Sequence, residues 1–82
     1  MSWIEKHGGL ERNFQFKDFA EAWTFMCRIA SCAEAMDHHP EWRNTYNQVF
    51  IRLTTHDKGG VTALDHRLDA QIDKILTDSK SR

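Results

Sequence analysis

The sequence predicts an α+β fold: a four-stranded antiparallel sheet with two helices packed on one face, in the order ββαββα. Three observations predict it. Leu10 to Lys17 and Trp42 to Thr55 alternate apolar and polar residues, the period-2 signature of half-buried strands. Two other stretches, one after Asp18 and one after Thr62, repeat apolar residues at helical spacing. Each of those stretches opens on a residue suited to an N-cap. Stacking both helices on one side of the sheet is the simplest way to bury all the apolar faces together.

The 82 residues allow one domain, 1–82, with one modest core. A core this small gains from a second copy, so a homodimer or homotetramer is expected. At 40% hydrophobic, 28% charged and a net charge of -1, the composition is that of an ordinary globular chain. It carries no basic footprint for nucleic acid and none for an anionic membrane. No apolar run approaches the ~20 residues of a membrane span. The start, Met-Ser-Trp-Ile-Glu-Lys, is unlike a signal peptide, which points to the cytoplasm.

Taken in order, Trp3 to Lys6 reads as a short strand and His7-Gly8-Gly9 as a turn. Leu10 to Lys17 then puts Leu10, Arg12, Phe14 and Phe16 on one face. Asp18 caps the first helix, with Glu21 three residues on in a capping-box arrangement. Phe19, Ala22, Trp23, Met26, Ile29, Ala30, Ala33 and Met36 form its apolar stripe, and Phe25 and Cys32 widen it. A stripe that wide can also cover a partner protein. Cys27 and Cys32 lie about 140° apart around this helix, a poor geometry for a bridge, so two buried free thiols are expected. Pro40 disfavours helical geometry at His39, which ends the helix near Asp37 or His38. Trp42, Asn44 and Tyr46 alternate along the third strand, with the hairpin turn at Asn47-Gln48. Val49, Ile51, Leu53 and Thr55 alternate along the fourth. His56 ends that strand, and Asp57-Lys58-Gly59-Gly60 reads as a flexible connection. Thr62 caps the closing helix, with Asp65 at its third position. Leu64, Leu68, Ile72, Ile75 and Leu76 stripe that helix, Asp65 falls outside the stripe, and Thr77 to Arg82 reads as a frayed polar tail.

The chemistry-bearing stretch is Glu34 to Trp42, which holds His38 and His39 between a helix end and a strand. His56 can approach them if the second hairpin packs beside that helix end. Histidine titrates nearest neutral pH, so an imidazolium and an imidazole side by side can donate one proton and accept another. Glu34 and Asp37 are carboxylates near enough to favour a charged histidine. His66 reads as a solvated helix residue and His7 as a turn residue. A zinc site of three histidines plus Asp65 is disfavoured: adjacent histidines diverge, and there is no HxxxH or HExxH.

The run Glu34-x3-His38-His39-Pro40, followed by Tyr46, His56 and Asp65, resembles the signature of the pterin-4a-carbinolamine dehydratases. The flanking text is similar too: His-His-Pro-Glu-Trp, Asn44-x-Tyr46-Asn47-x-Val49, Leu53-x-Thr55-His56, and upstream Phe14-x-Phe16-x-Asp18-Phe19. The resemblance runs from about Leu10 to Ile75.

That resemblance implies a hydro-lyase, 4a-hydroxytetrahydrobiopterin dehydratase. Such an enzyme converts 4a-hydroxytetrahydropterin to quinonoid dihydropterin and water, recycling tetrahydrobiopterin. It implies a pterin as substrate, no cofactor and no metal. Carried over by position, His38, His39 and His56 are the catalytic histidines. His38 and His56 would act as acid and base, and His39 would bind and orient the pterin. Pro40, Trp42, Thr55 and Asp57 would line or support the pocket, and Glu34, Asp37 and Asp65 would orient the histidines or their loops. Animal members of the family also act as dimerisation cofactors for a homeodomain transcription factor, through the helix face that otherwise makes a homotetramer. The alternative is therefore a coactivator-type interaction protein of the same fold, with a protein partner on the long helix and access to the nucleus. Two departures stand out: Trp3 lies almost at the start, where many members carry a further segment, and Leu64 stands where some have arginine.

Overall fold

The computed structural model describes residues 3–80. The chain runs β1 (Ile4–Lys6), β2 (Gly9–Gln15), α1 (Phe19–Met36), β3 (Glu41–Thr45), β4 (Gln48–Leu53), a 3₁₀ turn (His56–Lys58) and α2 (Ala63–Lys80). All strand pairs are antiparallel, in the spatial order β1-β2-β4-β3. The predicted ββαββα fold is what forms, and α2 continues to Lys80 where a frayed tail from Thr77 was expected. The last two positions of that expected tail, 81–82, lie outside the described residues.

Register fixes which side chains face inward. Leu10 pairs with Leu53, Arg12 with Ile51 and Phe14 with Val49, so these six share one sheet face. Both helices cover that face. Ala22, Phe25, Ile29 and Ala33 of α1 and Leu68, Ile72 and Ile75 of α2 are buried there with Phe16. Phe25 sits between the rings of Phe14 and Phe16, with centroids 4.9 and 4.8 Å away. Burying a side chain of this size contributes ~1.5–3 kcal/mol. Arg12, though inward-facing, is met by Asp73 at 2.8 Å and lies over the Phe14 ring.

The α1 stripe is rotated from its expected position. Phe19 and Trp23 are exposed, at 47% and 53%, and Ala30 is exposed too, while Phe25 lies at the centre of the interface. Ala22 and Ala33, both without bulk, let the helix approach the sheet along the Phe25 side. The exposed Phe19 and Trp23 stack on each other with centroids 6.2 Å apart. Cys27 is exposed and Cys32 half-buried, both free, so the expected pair of buried thiols is not formed. In α2, Leu64 is exposed and Asp65 is fully buried, the reverse of the expected arrangement.

The N-terminal hairpin turns at His7-Gly8, both left-handed (φ 51° and 78°), which matches the twist of the strands. Arg52 of β4 reaches across β2 to this turn. Its guanidinium donates to the Lys6 and His7 carbonyls at 2.8 and 2.6 Å and to Glu11 at 2.8 Å. A Cβ on Gly9 would stand 2.5 Å from that guanidinium, so the position accepts only glycine without moving Arg52. The second hairpin turns at Tyr46-Asn47, one residue before the predicted Asn47-Gln48, because Thr45 pairs with Gln48. Asn47 then bonds Phe16 twice, accepting from its N–H and donating to its carbonyl, each at 2.8 Å.

The caps of α1 follow the sequence closely. Asp18 accepts from the Glu21 N–H at 2.9 Å, and Glu21 reaches back to the Lys17 N–H at 3.1 Å. At the other end Asp37 is left-handed (φ 52°, ψ 43°), its N–H bonded to the Glu34 carbonyl and the His38 N–H to the Ala33 carbonyl. This is the Schellman geometry that glycine usually serves. Asp37→Gly is expected to raise unfolding stability by about 0.5–1 kcal/mol, read as a higher urea midpoint.

Candidate functional site

The helix stop positions His38. With the His38 N–H tied back to Ala33, the chain leaves α1 sharply, and Pro40 sends it into β3. The His38 side chain, only 11% exposed, turns toward the start of α2. There its Nε2 lies 2.6 Å from Asp65 Oδ1. These residues are 27 positions apart in sequence.

Asp65 is the one buried charged residue among those described. It is the third residue of α2, and its Oδ2 accepts the Thr62 N–H at 2.8 Å, the backbone half of the predicted capping box. The same oxygen accepts the Thr55 hydroxyl at 2.8 Å. Each carboxylate oxygen is therefore engaged, one by the cap and Thr55 and the other by His38. Burial pushes the Asp65 pKa up, but donation by His38, the Thr62 N–H and Thr55 outweighs it and leaves the group below the ordinary aspartate range. Asp65 is thus ionised at neutral pH and accepts only, so the proton between the pair sits on His38 Nε2. A neutral His38 then has its free lone pair on Nδ1.

The linkage has a definite sign. A carboxylate whose pKa is lowered on folding stabilises the fold above its unfolded pKa, and that contribution is lost as pH falls through the folded value. Urea unfolding from pH 6 to pH 2.5 is expected to show stability falling below about pH 4, and Asp65→Asn is expected to flatten part of that fall.

His39 points away from its neighbour. Its Nε2 lies 2.9 Å from Glu34 Oε1, a pair exposed on both sides and therefore of little consequence for stability. His56 opens the 3₁₀ turn and is exposed, with no hydrogen-bond partner for its ring among the described residues. The segment expected to be a flexible connection instead closes a small loop. The Thr55 N–H bonds the Gly60 carbonyl at 2.9 Å, and the Lys58 N–H bonds the Thr55 carbonyl at 3.0 Å. Thr55 thus ties the His56 turn to Asp65 and, through it, to His38.

Of the other expected residues, Pro40 and Trp42 are half-buried, with Trp42 packed against the core beneath β3, and Asp57 is exposed. Asp37 contributes backbone shape: its side chain is exposed and makes no hydrogen bond among the described residues. Thr55, expected at the pocket, and Thr62, expected as an N-cap, prove to be joined by their hydroxyls and linked through Asp65 to His38, a connection the sequence reading did not make. Among the described residues no group of three or more His, Cys, Asp or Glu is placed to hold a metal ion. No described helix is long and apolar enough to cross a membrane.

A sequence profile of the family described as "Pterin 4 alpha carbinolamine dehydratase" matches residues 1–75. The chain belongs to this family. A protein of Synechococcus sp. (strain WH7803), provisionally named a pterin-4-alpha-carbinolamine dehydratase, is 56% identical over 73 residues, which are 89% of this chain and 78% of that protein. A Rhodospirillum rubrum protein with the same provisional name is 55% identical over 67 residues, 82% of this chain and 70% of its own length. Among solved structures, the Brucella melitensis protein described as a transcriptional coactivator/pterin dehydratase superposes with a TM-score of 0.88 at 42% identity, covering 90% of this chain and 81% of that one. A pterin dehydratase-like protein described as a RuBisCO assembly factor in the alpha-carboxysome shares the fold, with a TM-score of 0.78 at 23% identity over 92% of this chain and 89% of that one. Pterin-4a-carbinolamine dehydratase family membership thus accords with both the ββαββα order and the His38-His39-Pro40 run read from the sequence.

Proposed function

We propose that this chain dehydrates a 4a-hydroxytetrahydropterin to the quinonoid dihydropterin and water, and so serves tetrahydrobiopterin recycling. The observation that carries the proposal is the His38–Asp65 pair: a nearly buried imidazole, oriented by an ionised carboxylate whose other oxygen is held by Thr55, the residue before His56. An oriented imidazole of this kind is suited to proton transfer, typically worth ~10²–10⁴-fold each. In the proposed reaction His38 takes the N5 proton through its free lone pair, while a protonated His56 gives a proton to the departing 4a-hydroxyl. The C4a–O bond breaks, the N5–H electron pair becomes the C4a=N5 double bond, and water leaves. Asp65 stabilises the imidazolium that forms on His38; His38 then releases that proton to solvent, and solvent reprotonates His56, so that the cycle closes. His39, held by Glu34, binds and orients the pterin, and Pro40, Trp42, Thr55 and Asp57 complete its pocket. No step calls on a cofactor or a metal.

Stopped-flow conversion of freshly generated 4a-hydroxytetrahydropterin is the test. Acceleration over the uncatalysed rate is expected, and its absence in well-folded protein would retire the enzyme reading. One observation favours a second property. The stacked, exposed Phe19 and Trp23 on the outer face of α1 suit burial against a second copy or another protein. A cytoplasmic homo-oligomer, with a coactivator-like partner as the alternative occupant of that face, accords with this surface.

A further inference from the structure

The protons around Asp65 can be counted, and the count gives two threonines a direction. The Thr55 hydroxyl has one proton, and it goes to Asp65 Oδ2 at 2.8 Å. The Thr55 and Thr62 hydroxyl oxygens are 2.6 Å apart. With the Thr55 proton spent, that contact requires Thr62 to donate. Thr62 in turn accepts from the Leu64 N–H at 3.3 Å. A directed chain results: Leu64 N–H to Thr62, Thr62 to Thr55, Thr55 to Asp65, and His38 Nε2–H to the other oxygen of the same carboxylate. The chain starts at the N-terminal turn of α2, whose free N–H groups favour this polarity.

We infer that Thr55 and Thr62 are positioning residues of the dehydratase site: their hydroxyl chain pins Asp65 Oδ2 and so turns Oδ1 onto His38 Nε2–H, which holds that proton engaged and leaves Nδ1 as the proton-accepting atom. Thr55 has a second task, because it directly precedes His56 and closes the 59–60 corner through its backbone. Thr55 therefore bears on His38 through its hydroxyl and on the seat of His56 through its backbone. The catalytic part of this inference rests on the proposed function; the tautomer part does not.

The test pairs Thr55→Val with Thr55→Ser. Long-range ¹⁵N–¹H NMR of the histidine rings reads the tautomer without substrate, and stopped-flow assay reads kcat and KM. The wild type is expected to show neutral His38 wholly as the Nε2–H tautomer. Thr55→Val is expected to loosen the His38–Asp65 pair, read as an upfield move of the His38 Nε2–H proton resonance, and to lower kcat about 10-fold with KM little changed, and Thr55→Ser is expected to restore both. A mixed tautomer in the wild type, or an unchanged Nε2–H resonance in Thr55→Val, overturns the inference. Should Thr55→Val fold poorly, Thr62→Ala removes the donor to Thr55 while keeping the Thr62 N–H bond to Asp65, and is read the same way. A wild type with no dehydratase activity would remove the proposed function while leaving the NMR result to decide the positioning role.

Discussion

Asp65→Asn is expected to lower the dehydration rate by about 10³-fold while leaving the fold in place. The amide fits the same space. Its oxygen would take over from Oδ2, because the Thr62 N–H and the Thr55 hydroxyl both donate there. That leaves the amide N–H₂ facing His38 Nε2, where Oδ1 now accepts. Two donors cannot face each other, so His38 must move its proton to Nδ1 and offer Nε2 as acceptor. The lone pair available to a substrate is then lost. An equivalent change of partner in a Ser-His-Asp triad acts through the same wrong tautomer at a cost of about 10⁴. Asp65→Ala differs in kind, since it strands three donors in a buried place and is expected to cost about 3 kcal/mol or more. Stopped-flow rates beside urea midpoints check both. An Asn variant with near-normal rate would show that Asp65 is a helix cap alone.

His56→Ala and His38→Ala are expected to separate in stability though both lose activity. His56 is exposed and its ring has no partner among the described residues, so its removal should shift the urea midpoint by less than about 0.5 kcal/mol. Its loss as proton donor should still lower kcat about 10²-fold or more. His38 is different, because it satisfies one oxygen of a fully buried carboxylate. Removing it leaves that charge half-met, which costs about 1–3 kcal/mol and raises the Asp65 pKa. His38→Ala should therefore melt earlier than His56→Ala at neutral pH and show a shallower fall of stability below about pH 4. Equal destabilisation of the two would mean that the His38–Asp65 pair contributes no more to the fold than an exposed side chain does.

The sequence made the architecture legible because period-2 and helical patterns survive in every element, and because Asp18, Pro40 and Thr62 mark where helices start and stop. It misplaced what depends on rotation about a helix axis. Phe19 and Trp23 fit a helical stripe as well as Phe25 does, and only the packing of Ala22 and Ala33 against the sheet decides among them. Candidate site residues could be named from the sequence, but not how they are bonded to one another. Local spacing accounts for Asp65 fully as the partner of Thr62, so nothing local announces that its other oxygen holds a histidine 27 positions earlier. The bond from the Thr55 hydroxyl to Asp65 was hidden for a related reason. The backbone of Thr55 belongs to the His56 turn while its side chain follows the inward parity of β4, and a residue read for one role conceals the other.

The reach of Arg52 across β2 bears on how the chain comes together during synthesis. The β1–β2 hairpin is made before the rest of this fold, yet the guanidinium that ties its turn is made 43 positions after Gly9, on the strand that also completes β2's second edge. Until residue 53 has emerged, β2 has only three short backbone partners and α1 has no sheet wide enough to lie on. A two-strand ribbon of this size is marginal in water. The N-terminal half therefore waits for β4, and the fold should form in one step late in its translation, with His38 and Asp65 meeting only when α2 is in place.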